Sequence, residues 1–319
     1  MSTYSILMPF APARPEQALA IGAFAQWSSA YRLWQGQATT HEPYQTFNYL
    51  AASGFRVPVG FGVTLMPFRH PYEAALQAQS LAISMGHPVV AGFGPGARVL
   101  QQAMLGAPYR SQLGAVREYA TAVRGMLNGE KVPDGEYFIC RTELVQLPRP
   151  PVEVGLGVLR PGMARLAGEV ADVAITWLTP AAYLRDTIVP ALRAGAEAAG
   201  RPMPRLAAIV PLALDRPDRE AVEFALASNS GHLQLPHYVD MLRRSGIETD
   251  PADPGAGARA LIEGRAFLSG GPEAVAEQLA EYVEAGVDEI VLNVIGVCTL
   301  LGLPTALREL ESVLAVVDT

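Results

Sequence analysis

Apolar residues in this chain gather in short runs bounded by Gly and Pro, and the stretches between them carry helical spacing. The runs are Tyr4–Phe10, Tyr31–Trp34, Val57–Thr64, Pro88–Phe93, Val152–Gly155, Val173–Trp177, Leu206–Leu214 and Glu289–Val294. They are nearly continuous rather than alternating, which suits strands buried on both faces of a parallel sheet. Helical periodicity covers Pro15–Trp27, Tyr72–Met85, Gly114–Asn128, Ala182–Gly200, Pro272–Ala285 and Pro304–Val317, with a kink expected at Pro190. Eight such strands, most followed by helical sequence, predict a (β/α)8 TIM barrel formed as one domain. Two segments exceed what a barrel needs. Pro133–Pro151 reads as a small hairpin, and Ser228–Ser269 as a helical excursion over the barrel mouth. Such insertions usually serve the C-terminal face, so the second is expected to be a lid, with an oligomer contact as its other reading.

The most informative stretch is Val152–Pro180. A short strand, a glycine turn, a helix opened by Arg160 and Pro161, and a second strand make a βαβ unit. Gly155 and Gly157 allow close backbone approach to a ligand. The unpaired N–H groups of the first helical turn, with Arg160, offer a seat for a phosphate. A plain turn needing glycine for steric reasons reads equally well. The spacing is not G-x-G-x-x-G, so no dinucleotide fingerprint follows.

Composition narrows the class. The chain has 319 residues, half of them hydrophobic, which is enough for a large core. No apolar run is long enough to span a bilayer, and no basic region leads into an apolar core at the N-terminus, so a cytoplasmic enzyme is expected. Net charge is −7 with both signs interspersed, which argues against a nucleic-acid surface. Cys140 and Cys298 lie far apart without metal-ligand spacing, and read as small buried hydrophobes. No metal site is expected.

Several segments in a fixed order resemble the luciferase-like monooxygenase superfamily: Ala91–Gly96, Leu105–Arg110 through Tyr119, Gly135–Phe138, Ala167–Trp177 and Gly271–Val275. The resemblance covers nearly the whole chain. It implies a (β/α)8 barrel and either the deazaflavin coenzyme F420 or, as the alternative, flavin mononucleotide (FMN). It would place Gly155, Leu156, Gly157, Val158 and Arg160 near the coenzyme phosphate and Trp177 beside the ring. It also implies a non-prolyl cis peptide at Gly62–Val63 beneath that ring. A homodimer acting on a peptide or small-molecule substrate is expected, without nucleic acid or membrane partners.

The chain departs from the pattern of deazaflavin-dependent sugar-phosphate dehydrogenases. They carry an Asp-His pair after strand two, where this chain has Trp34-Gln35-Gly36-Gln37, and a Glu where it has Ala97. Oxidising an alcohol requires a base for the hydroxyl proton, so these losses favour the reducing direction. The loop continues through Thr39, Thr40, His41, Glu42 and Tyr44. Its texture resembles F420-dependent reductases of dehydroalanine and dehydrobutyrine in lanthipeptide-type peptides. For such a substrate, Gln35 or Gln37 would hold the amide oxygen and His41 or Tyr44 would supply a proton. An FMN-dependent monooxygenase and a non-catalytic coenzyme- or peptide-binding barrel stay open. Of the remaining candidates, Trp34 and Trp177 could wall the ring pocket or simply pack, and Arg69 and Arg98 could meet an acidic coenzyme tail. His70 is expected to cap a helix, His87 to lie remote from the site, His232 and His237 to gate it, and Pro9, Phe10 and Asn293 to floor it.

Overall fold

In the computed structural model, which describes residues 2–38 and 40–317, the apolar runs pair side by side in parallel and close on themselves. The barrel strands are β1 (Thr3–Leu7), β2 (Leu33–Gln35), β3 (Val59–Phe61), β4 (Val89–Gly94), β5 (Val152–Gly157), β6 (Val173–Trp177), β7 (Arg205–Leu214) and β8 (Glu289–Asn293). Pairing of β8 with both β1 and β7 closes the circle. The outer layer is formed by α1 (Leu19–Trp27), α2 (Pro43–Ala52), α3 (Pro71–Met85), α4 (Gln112–Leu127), α5 (Pro161–Val170), α6 (Val189–Ala198), α7 (Pro272–Glu284) and α8 (Leu303–Val317). This is the (β/α)8 barrel the alternation predicts.

Period-two alternation sorts each strand into two layers. Ile6, Leu33, Phe61, Phe93, Leu156 and Leu292 face the helices, while Leu7, Trp34, Val90, Val173, Ile175, Ile209 and Val291 fill the barrel interior. Trp34 is the largest of the interior residues and is fully buried. A Cβ on Gly60 would come within 2.7 Å of its indole, so the neighbouring strand is bare where the ring lies. The pocket-wall reading of Trp34 is therefore corrected: it is barrel core.

The N-terminal end of the barrel is sealed by charge. Glu289 Oε1 accepts from Ser5 Oγ at 2.7 Å, Trp34 Nε1 at 2.7 Å and Arg32 Nε at 3.1 Å. Its Oε2 accepts from Arg205, which also reaches Glu153 at 2.7 Å. Both Glu289 and Arg32 are buried, and the pair is held by several charge-assisted bonds.

Three expectations change. Pro133–Pro151 forms no strand pair, because the Glu118 carboxylate on α4 accepts the backbone N–H groups of Glu136, Tyr137 and Phe138 that a hairpin ladder would need. The Ala182–Gly200 helix is not simply kinked at Pro190: a wide turn at Leu184–Ile188 interrupts it, and Pro190 sits in the first turn of α6, where its missing N–H costs little. The Tyr44 segment is not loop but the start of α2, with Glu42 capping it by accepting from Gln45 N at 3.1 Å. The excursion is helical as expected. It comprises Ala221–Leu233, Pro236–Arg244 and Pro254–Glu263 before a short strand, Leu268–Gly270, pairs with the end of β7. No described helix is long and apolar enough to cross a membrane.

Candidate active site

The C-terminal ends of the strands open into a mouth whose floor is shaped by glycine. Toward the mouth, the interior-facing positions of β4 and β5, and the residue just after β3, are glycines: Gly92, Gly94, Gly155, Gly157 and Gly62. They serve two different needs. A Cβ on Gly92 would lie 1.9 Å from the Phe61 carbonyl, and one on Gly155 would lie 2.7 Å from Ile175 Cδ1. Those glycines let the strands and the interior side chains pack, so Gly155 faces the core and not a phosphate. Gly157, one pleat higher, is different. A Cβ there would sit 3.4 Å from Val63 Cγ1, in ordinary contact, so its bareness leaves room at the mouth.

Val63 provides the floor beside it. The Gly62–Val63 peptide is cis, as the resemblance implies. The Val63 side chain packs against the interior cluster between Gly94 and Gly157. A flat ring system fits such a surface, with apolar Val63 below and glycine backbone beside it. Of the other residues expected near a phosphate, Leu156 points into the outer core and Val158 is buried, its N–H donating to the Ile175 carbonyl at 2.7 Å. Their side chain and amide, respectively, are already engaged. Arg160 forms the N-cap of α5 and pairs with Asp240 of the excursion at 3.4 Å.

The β2 loop lies on the adjacent side. Trp34 faces inward, so Gln35 faces α2. Its amide nitrogen donates to His41 Nε2 at 3.2 Å, and Thr46 Oγ1 meets the same nitrogen at 2.6 Å. The ring is thus gripped at Nε2 alone, while Nδ1 is buried without a partner. Burial lowers the His41 pKa, opposed by Glu42, which favours the neutral ring. Gln37 is held in its own loop: its backbone N–H donates to the Val63 carbonyl at 3.0 Å and its amide to the Ala38 carbonyl at 2.8 Å. Arg69 donates to Glu42 at 3.0 Å and approaches Gln37 Oε1 at 3.4 Å, stacking over Tyr44. Tyr44 packs on Phe61 with ring centroids 4.1 Å apart. Burial pushes its pKa upward, against the lowering effect of Arg69, so the phenol stays protonated. Thr39 lies outside the described residues.

Trp177 stands at the mouth itself, packed against the interior cluster with Val63 and Ile295. His232 of the excursion stacks on it with centroids 5.2 Å apart and planes at 28°. His237 lies in contact with Tyr238 on the same excursion. His70 caps α3 through Nδ1, which accepts from Tyr72 N at 3.1 Å. His87 precedes β4 at the opposite end of the barrel, and Arg98 is exposed on a short helix after β4. Asn293 is fully buried at the end of β8; its Oδ1 accepts from Ile295 N at 2.9 Å, while Nδ2 has no partner.

Buried polar atoms without a partner gather at this end: Gln35 Oε1, His41 Nδ1, Tyr44 Oη, Arg69 Nη1, Trp177 Nε1 and Asn293 Nδ2. Such atoms are costly unless a ligand or water meets them, which marks the mouth as the functional face. Among the described residues no cluster of His, Cys, Asp and Glu could hold a metal ion. Sequence reading missed α2, although Tyr44, Phe47, Leu50 and Ala51 are buried at helical spacing.

Comparison with known proteins bears on the family and the fold. A 5,10-methylenetetrahydromethanopterin reductase of Methanolobus tindarius is 29% identical over 273 residues, covering 78% of this chain and 80% of the relative. An F420-dependent glucose-6-phosphate dehydrogenase of Nakamurella multipartita is 29% identical over 255 residues, covering 76% and 73%. Among solved structures, the coenzyme F420-dependent tetrahydromethanopterin reductase of Methanopyrus kandleri superposes with a TM-score of 0.76 at 19% identity over 98% of this chain and 97% of the other. EDTA monooxygenase from Chelativorans sp. BNC1 gives 0.76 at 15% identity over 99% and 93%. These two share the fold. The profile described as luciferase-like monooxygenase matches residues 4–289, and the chain belongs to that family.

Proposed function

We propose that this protein is a coenzyme F420-dependent oxidoreductase working in the reducing direction, with an activated C=C bond as hydride acceptor. The favoured substrate is dehydroalanine or dehydrobutyrine within a peptide. The deazaflavin reading is supported by relatives whose names carry F420 dependence or a methanopterin reduction. When bound, that coenzyme supplies hydride, and the protein supplies orientation and the proton. Gly157, which the resemblance put near the phosphate, flanks Val63 and is assigned with it to the ring instead, and Arg160 with the first turn of α5 would face the phosphate.

The observation that carries the direction is that the two places where sugar-phosphate dehydrogenases of this type carry ionisable groups have none here. The segment Trp34-Gln35-Gly36-Gln37 stands at one of these places and Ala97 at the other. His41, the nearby imidazole, is held on Nε2 by Gln35 and Thr46. A neutral loop of this kind suits an amide substrate better than a sugar phosphate. Gln37 would hold the amide oxygen by exchanging its bond to the Ala38 carbonyl for one to substrate.

The deciding experiment incubates the protein with reduced F420, or separately with reduced FMN and oxygen, and a dehydrated peptide. A gain of about two daltons per reduced residue with F420 alone is expected. Saturable binding of FMN with oxygen insertion, and no response to F420, would instead establish a two-component monooxygenase on the same fold. Dehydrated peptides returned unchanged while a small alkene is reduced would remove the peptide substrate alone.

A further inference from the structure

The sector of the mouth formed by β6, β8 and the excursion carries polar groups that neither the ring floor nor the β2 loop uses. Trp177 ends β6 and faces inward, and a Cβ on Gly36 would lie 3.8 Å from its Cζ3, so the indole reaches toward the β2 loop. Its Nε1 is buried and meets no acceptor. The other interior tryptophan provides a contrast, since the Trp34 indole N–H is satisfied by Glu289 at 2.7 Å.

The tilt of the Trp177 ring is fixed from above. His232 stacks on it, and Tyr238 meets the imidazole edge-on at 4.7 Å and 72°. The helix carrying His232 is seated against the short helix Ile295–Leu301 that follows β8, where a Cβ on Gly296 would strike the Phe224 carbonyl at 2.2 Å. His232 Nδ1 is also buried without a partner. Burial, and His237 beside it, lower the His232 pKa to about 4, so this ring carries no charge near neutrality. The neighbouring cations are already paired: Arg160 and Arg244 both sit on Asp240, at 3.4 and 2.9 Å.

A buried N–H donor without a partner, stacked in place by His232 in a sector whose charges are internally matched, suits an uncharged acceptor better than an anion. We propose that Trp177 is a specificity-determining residue whose indole N–H holds the carbonyl oxygen of an uncharged amide substrate, with His232 positioning the indole. The proposal rests on the mouth being the site of hydride transfer. It assigns the excursion a direct part in recognition, because the positioning ring comes from it.

The test uses the full-length ¹⁵N-labelled protein loaded with oxidised F420, in which the chain's three tryptophans give three indole signals assignable by Trp→Phe replacement. Titration with N-acetyldehydroalanine N′-methylamide is expected to move the Trp177 signal downfield and saturably, leaving those of Trp27 and Trp34 in place. Trp177→Phe, which keeps the ring and removes the donor, should raise the probe's Kd about tenfold. His232→Ala should shift the free Trp177 signal through the lost stacking ring and weaken the probe without changing F420 affinity. A Trp177 signal unmoved over the whole titration, or a Trp177→Phe variant with unchanged Kd, overturns the assignment. F420 binding is followed separately by its own fluorescence and titration without coenzyme reads the same signal, so failure of the proposed coenzyme is distinguished from failure of this subsite.

Discussion

Glu289 occupies the point where Ser5, Arg32, Trp34 and Arg205 converge, and its side chain is fully buried. Removing the carboxylate leaves the Arg32 guanidinium buried beside an empty acceptor site. Breaking such a pair from one side is costly, about 3–5 kcal/mol, because the remaining charge is uncompensated. Glu289→Leu is expected to lose stability on that scale in urea denaturation, with a smaller loss for Arg205→Leu, whose side chain is about a third exposed. Equal, small losses for both would show that water satisfies Arg32. This network was not legible in the sequence: its partners are separated by up to 284 residues, and only barrel closure joins them. The glycines teach the same lesson at shorter range. Gly155 and Gly157 lie on one face of one strand, yet one accommodates Ile175 and the other leaves the mouth open. Sequence spacing treats them alike; the difference lies in which residues the neighbouring strands present at each level.

Elements were more legible than single residues, because burial on both faces leaves its mark as continuous apolar runs. Seven of the eight strand runs enclose their observed strands or overlap them closely; the eighth, Tyr31–Trp34, meets β2 in two residues. Boundaries moved where tertiary partners intervened. The 133–151 segment shows why: its turn residues favour a hairpin, but Glu118 takes up three backbone N–H groups, and Gly135 leaves space for that carboxylate, which a Cβ would meet at 1.9 Å. A carboxylate accepting several N–H bonds is a strong local anchor. Glu118→Gln keeps the shape but turns an amide NH₂ toward those donors, at a cost of about 1–3 kcal/mol. Hydrogen exchange at Glu136–Phe138 is expected to accelerate accordingly, while amides in β4 and β5 keep their protection. Unchanged exchange in the loop would mean that Tyr137, whose hydroxyl accepts from Ser111 N at 3.0 Å, holds the segment without Glu118.

At the scale of the whole molecule the barrel divides labour between its ends. Matched charge closes the N-terminal end, and the C-terminal end keeps bare backbone, unpaired polar atoms and a helical cover. That division predicts where change is tolerated. Gly157 is the position at which a side chain would harm binding and spare the fold, since a Cβ there meets Val63 at no less than 3.4 Å. Gly157→Ala is therefore expected to unfold within error of the parent. Gly157→Val projects further over the Val63 floor, into the space assigned to the coenzyme ring, and should weaken F420 binding by more than tenfold, or about 1.4 kcal/mol. Gly155→Ala offers the opposing control. Its Cβ would press on Ile175 Cδ1 at 2.7 Å and on the backbone of Gly92 at 3.2 Å, so it should lower the denaturation midpoint before it alters coenzyme affinity. Fluorescence titration of F420 beside urea denaturation of each variant separates the two effects. Coenzyme affinity that survives Gly157→Val in a folded protein would move the ring away from β5, toward the side of the mouth where Trp177 stands.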